Sequence, residues 1–193
     1  MSTAGMPGYT GATLTLHIDP HEHQRRQIFR RRHFTSPDLL DLLLALPAGE
    51  PVPFQRLTVY QQRTVRRAPA GVLRIGGRST DRTVTRLAVR PCRVALATVQ
   101  FATACRTALE SAARFAPFTA RQVVVRRRPA LPETLIEYGF WGVGLLHDPG
   151  DGPVETLVAP EPWRPKRHTP AGWRFAETAY GAYLTQQSTE AVR

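Results

Sequence analysis

A chain of 193 residues that is 42% hydrophobic and 21% charged carries enough apolar material for one folded domain, which excludes global disorder. Its longest apolar run is far too short to span a bilayer, and Met1–Gly11 lacks the apolar stretch of a secretory signal. A cytoplasmic protein with no membrane partner is therefore expected. The formal net charge is +11 and is unevenly placed. Residues 51–132 hold sixteen Arg against only Asp81 and Glu110, a net of +14, while 1–50 are neutral and 133–193 are net acidic. A folded segment this basic either pairs internally or presents a field that attracts nucleic acid or another polyanion.

The basic residues are 25 Arg and the single Lys166. The choice of Arg over Lys suggests GC-rich codons and leads us to expect a bacterial source, but codon bias does not explain the scarcity of acids between 51 and 132. The two cysteines, Cys92 and Cys105, form no C-x-x-C pair, which excludes a zinc ribbon. Both are expected to be reduced thiols.

Residues 1–10 are small and polar and are expected to form a flexible tail. Residues 12–18 alternate, with Leu14, Leu16 and Ile18 on one face, and predict a half-buried strand. Asp19-Pro20-His21-Glu22 is a helix start: Asp19 caps, Pro20 takes the first helical position, and Glu22 reaches back in a capping box. That helix is expected to run to Arg32. Ser36-Pro37-Asp38 repeats the signal and opens a strongly apolar helix that stops before Pro47. AGEPVP over 48–53 reads as a linker.

Residues 54–66, 72–76 and 83–90 predict strands, with a turn at Gly76-Gly77. After Pro91, residues Val94, Ala97, Phe101, Ala104, Cys105, Ala108 and Ala112 recur at helical spacing, which predicts one long helix over about 92–115. Strands are predicted at 121–127, 134–147 and 154–159, the last two joined by the turn-rich loop 148–153. A basic, proline-rich loop leads to a final helix from Thr169-Pro170, with Trp173, Ala176, Tyr180 and Leu184 on one face. The tail 188–193 is expected to be flexible. Together these elements predict a single α+β domain over 11–187. Its sheet is largely antiparallel and packs on the long central helix, with short N-terminal helices and a C-terminal helix.

Five segments offer binding chemistry. Arg25, Arg26 and Arg30 lie on the first helix, where they contact phosphate or form a solvated face. Arg78 and Arg82 flank a Gly-rich turn that lacks the Walker spacing, and Arg126, Arg127 and Arg128 form a basic run. Tyr138-Gly139-Phe140-Trp141-Gly142 predicts a strand whose Tyr138 and Phe140 have open ring faces for base stacking, with core packing as the alternative. It meets the RNP1 pattern only at Gly139, Phe140 and Val143, so no family is assigned. Trp163, Arg164, Lys166 and Arg167 interleave an aromatic with cations, which suits single-stranded nucleic acid unless Trp163 is a core anchor.

His17, His21 and His23 beside Asp19 and Glu22 are the candidate metal ligands. His21 and His23 point about 200° apart on a helix, so the weight of expectation is against a metal, and no cofactor is expected. No nucleophile elbow or Cys-His pair is present. The expected function is binding of RNA or single-stranded nucleic acid, alone or within a ribonucleoprotein or mobile-element complex. One alternative is a small hydrolase or nuclease using the His cluster or a histidine acid/base. Another is a structural subunit docking on an acidic protein partner.

Overall fold

The computed structural model of the chain describes residues 1–6, 11–78, 81–165 and 167–190. It is an α+β fold in which the chain forms two compact units. The first comprises Met1–His17, Arg93–Lys166 and Ala182–Arg193, and the second Ile18–Cys92 and Arg167–Gly181.

The first unit is built on a six-stranded sheet of order β1-β2-β6-β7-β8-β9. Within the expected tail, β1 (Ser2–Gly5) pairs antiparallel with β2 (Ala12–Ile18), Ser2 facing Leu16. β2 alternates as its sequence predicts, burying Ala12, Leu14 and Leu16. The long helix expected over 92–115 is absent. Cys92–Phe101 is the strand β6, and only Arg106–Ala113 is helical (α4). β6 has buried residues on both faces, Cys92 and Val94 on one and Ala97 and Val99 on the other, so its apolar positions also match a helical period. Val94, Thr98 and Val99 are β-branched and favour the extended form.

β6 pairs parallel with β7 (Ala120–Val125), and β7 pairs parallel with β8 (Gly144–His147). The six-stranded sheet is therefore mixed: β6, β7 and β8 run parallel, and β1 and β2 antiparallel. Parallel neighbours need crossovers, and α4 and α5 (Pro132–Phe140) supply them. β9 (Glu155–Val158) closes the edge antiparallel to β8 across the expected loop.

Residues 134–147, predicted as one strand, are the end of α5 followed by β8. The break lies at Gly142, whose φ is +64°. Its N–H donates to the Gly139 carbonyl at 3.0 Å and the Val143 N–H donates to the Tyr138 carbonyl at 2.9 Å. This is a Schellman stop, with Val143 and Tyr138 both buried as its apolar contact.

In the second unit, Asp19 caps α1 (Pro20–Ile28) by accepting from the Glu22 N–H at 2.9 Å. Glu22 does not complete the capping box, and the helix stops four residues before Arg32. Ser36 caps α2 (Pro37–Ala45), which buries Leu39, Leu40, Leu42 and Leu43 and leaves Asp38 and Asp41 exposed. Leu39, Leu40 and Leu43 pack with Phe34, Val72, Ala88 and Trp173, and Leu42 packs with Leu46, Phe54, Leu57, Val65 and Val84.

The strand expected over 54–66 is instead a 3-10 turn, Phe54–Arg56, and the helix α3 (Val59–Arg67). A reciprocal capping box starts α3. Gln61 N–H donates to Thr58 Oγ1 at 3.2 Å, and Thr58 N–H donates to Gln61 Oε1 at 2.9 Å. β3 (Pro51–Pro53), β5 (Thr83–Arg86) and β4 (Leu73–Gly76) form a small antiparallel sheet with β5 central, which leaves the prolines on an edge. The last helix, α6 (Pro170–Glu190), starts where predicted, and Trp173, Ala176 and Tyr180 are buried. Among the described residues no helix is long and apolar enough to cross a membrane.

Candidate nucleic-acid interface

The linear basic block does not survive as one body. Nine of its sixteen Arg fall in the second unit and seven in the first. Arg30–Arg32 and the C-terminal insert add to the second unit. It holds sixteen basic residues against seven acids, a net of +9, while the first unit holds ten against eight. The positive field therefore belongs to the second unit.

Two of its predicted phosphate ligands are structural. Arg26 is fully buried. Its Nη1 and Nη2 each donate to Glu177 at 2.7 Å, and its Nε donates to Glu22 at 2.7 Å. Burial pulls the guanidinium down, but Glu177 and then Glu22 outweigh it and hold Arg26 above its ordinary value. Arg25 donates twice to Glu22, at 2.8 and 2.6 Å, and to the Gly71 carbonyl. Glu22 thus answers Arg25 and Arg26, which is why it does not close the capping box. Arg30, at φ +49°, is exposed just beyond α1, with Arg31 and Arg32.

The exposed cations of α3 are the better-placed set. Arg63 and Arg67 line a cavity of about 350 Å³ with Ser36, Asp38 and Tyr60. Arg66 lies 6.0 Å and Arg82 4.9 Å from the centre of the buried Phe54 ring, which brings the end of α3 beside the start of β5. The Asp38 carboxylate, and with it Asp41, raises the exposed Tyr60 phenol above its ordinary value. Arg78 is exposed in the turn after β4. The sequence singled out Arg82 but not Arg63, Arg66 or Arg67, because 54–66 reads as a strand. The T-x-x-Q box at Thr58–Gln61 is the signal that identifies the helix.

In the first unit, Arg126, Arg127 and Arg128 follow the carboxyl end of β7. Arg126 pairs with Asp148 at 3.1 Å and Arg128 with Glu155 at 2.5 Å, both at the surface, where such pairs contribute about 0–1 kcal/mol. His147 Nδ1 lies 3.9 Å from the same Glu155. Arg127 is exposed.

The stacking strand is corrected in two ways. Tyr138 is buried and donates its hydroxyl to the Cys105 carbonyl at 3.3 Å, and burial pushes its phenol up to about 12. It offers no ring face. Phe140 ends a helix rather than lying on a strand, yet it is 80% exposed and meets the exposed Trp141 edge-on at 5.5 Å. Trp163 is half-buried, Arg164 and Arg167 are exposed, and Lys166 lies outside the described residues.

The histidines do not assemble a metal site. His17 and His21 are exposed. His23 is hydrogen-bonded through Nδ1 to the Tyr180 hydroxyl at 2.8 Å and through Nε2 to Gln27 at 2.9 Å. Among the described residues no group of three or more His, Cys, Asp or Glu is arranged to hold a metal ion. No family model, curated protein or solved structure matches this chain.

Proposed function

We propose that this protein binds nucleic acid, with RNA or a single strand as the preferred partner, and that the second unit makes the backbone contacts. The observation that carries this is the concentration of charge. The second unit has a net of +9, and two of its acids, Glu22 and Glu177, are buried against Arg26. Its exposed cations are thereby left with few surface acids to offset them. Phosphate contact by such cations is sequence-independent, and the exposed Phe140 and Trp141 rings supply surfaces on which bases can stack. Free thiols at Cys92 and Cys105 fit a reducing, cytoplasmic setting.

A second function, as a subunit within a larger complex, draws support from α5. Ile136 is 71% exposed and lies one turn from Phe140, so an apolar helical face stands open.

Labelled single-stranded RNA, single-stranded DNA and duplex DNA titrated across a salt series test the proposal. Binding near physiological salt with a steep negative slope, strongest for a single strand, is expected. Absence of binding at that salt overturns it.

A further inference from the structure

Arg86 ends β5, and Arg90 follows it by four residues, just before Pro91. Their Cζ atoms lie 5.6 and 5.9 Å from the centre of the Trp173 ring, so two guanidinium groups converge on one indole. Trp173 is buried, and its Nε1–H donates to Glu177 Oε1 at 2.9 Å. Both arginines are half-buried. Arg86 donates from Nη1 to the Leu43 carbonyl, and its Nε is buried without an acceptor.

Neither arginine forms an ion pair among the described residues. Glu177 cannot serve them: Oε1 accepts from Arg26 and Trp173, and Oε2 accepts from Arg26 and the Phe34 N–H. The same unit thus shows two treatments of a dehydrated arginine. Arg26 is neutralised by two carboxylates. Arg86 and Arg90 are held by a π face, which orients a cation but does not cancel its charge. Burial lowers both guanidinium groups, and the charge of Arg86 lowers Arg90 further. Two like charges gathered in a partly dry place repel unless an anion joins them.

We propose that Arg86 and Arg90 form an oxyanion site against Trp173 that takes a phosphate group. The Arg90 guanidinium fork matches a tetrahedral oxyanion bidentately, and Arg86, with Nη1 on the Leu43 carbonyl and Nε buried, adds Nη2. A phosphate near its dianionic form balances both cations, whereas a carboxylate balances one. Because Trp173 is buried, the site takes the phosphate and not a nucleobase. The site stands apart from nucleic-acid binding, because inorganic phosphate alone tests it.

The test is thermal unfolding of the full chain with inorganic phosphate titrated against chloride at matched ionic strength. Phosphate is expected to raise the unfolding temperature saturably. In Arg90→Gln the half-point should weaken by roughly tenfold or more, the loss of one charge-assisted contact. In chloride alone, Arg90→Gln should unfold no lower than the parent, since it removes a repelled charge. Arg114→Gln, which removes an exposed cation elsewhere, should keep the full phosphate response. If Arg90→Gln does not fold, Arg90→Lys, which keeps the charge and loses the fork, is held to the same criterion. No phosphate effect beyond chloride in the parent, or an unchanged half-point in the variant, overturns the site. A 5′-phosphorylated oligonucleotide that displaces phosphate, where its dephosphorylated twin does not, supports the site with a strand end as its source. Displacement by neither supports it with free phosphate as its source.

Discussion

Arg26 on α1 grips Glu177 on α6 through two parallel 2.7 Å hydrogen bonds, with both side chains fully buried. Glu22 takes the remaining Nε–H, and the Arg26 guanidinium stacks 4.3 Å over the Phe34 ring. Glu177 also accepts the Trp173 indole N–H and the Phe34 backbone N–H. One guanidinium and two carboxylates therefore tie α1, α6 and the start of the segment leading to α2 into a single network.

Leaving a buried charge uncompensated costs about 3–5 kcal/mol. Glu177→Gln leaves Arg26 with Glu22 alone, which Arg25 shares, and is expected to lower stability by up to that order. Arg26→Lys is expected to behave similarly, because an ammonium cannot serve two carboxylates through a planar fork. Denaturant midpoints measure both. Variants within about 1 kcal/mol of the parent, as expected for ordinary surface pairs, would sink the claim that this network organises the second unit.

The two thiols should separate chemically. Cys105 is exposed, while Cys92 is buried and donates its S–H to the Ala176 carbonyl at 3.3 Å. One equivalent of a thiol reagent should react quickly with the native protein, and a second only on unfolding. Two fast equivalents would contradict the packing around Cys92.

Alkaline stability carries the same signature. Burial first, and the charge of Glu177 second, push the Cys92 thiol from 9.0 up to about 12. The folded state then keeps a proton that the unfolded chain releases. The contribution is fully present below pH 9 and is lost as pH rises from 9 to about 12. Unfolding temperatures followed across that range should fall less steeply in Cys92→Ala than in the parent. Parallel curves would remove Cys92 as a cause.

Gly142→Ala should destabilise the first unit. An αL conformation costs a residue with a Cβ about 1–2 kcal/mol. The added carbon would also lie 3.1 Å from the Glu161 Cβ and closer still to its mobile carboxylate. Gly152→Ala, where φ is not positive and the Cβ meets only Pro149 at 3.4 Å, serves as the control. Equal unfolding midpoints for the two variants would refute the Schellman account of the α5 stop.

Neutralising α3 tests where nucleic acid docks. Arg63→Gln, Arg66→Gln and Arg67→Gln together remove three exposed cations that form no ion pair among the described residues. The log-affinity slope against log salt should flatten by about 2 for a single strand, roughly 0.7 for each lost phosphate contact. An unchanged slope with intact folding would place the interface elsewhere.

What the sequence determined by itself were the features written in contiguous residues. The alternation of Ala12–Ile18 produced β2. The caps at Asp19 and Ser36 and the Thr169-Pro170 start opened α1, α2 and α6 where local chemistry says they must. The turn at Gly77 and the loop between β8 and β9 follow for the same reason. The period of Cys92–Phe101 was undecidable locally, because its buried residues fall on both faces of the strand and Val94, Ala97 and Phe101 also match a helical spacing. Tertiary structure also decided which cations are free. Arg26 lies in a run of residues that all look alike, yet burial beside Glu22 and Glu177 makes it structural. Arg86 and Arg90 are inconspicuous in the chain, yet they meet over Trp173 with no carboxylate. Charge is countable from composition, but its neutralisation depends on partners as distant as residue 177 is from 26, and only the folded chain brings those together.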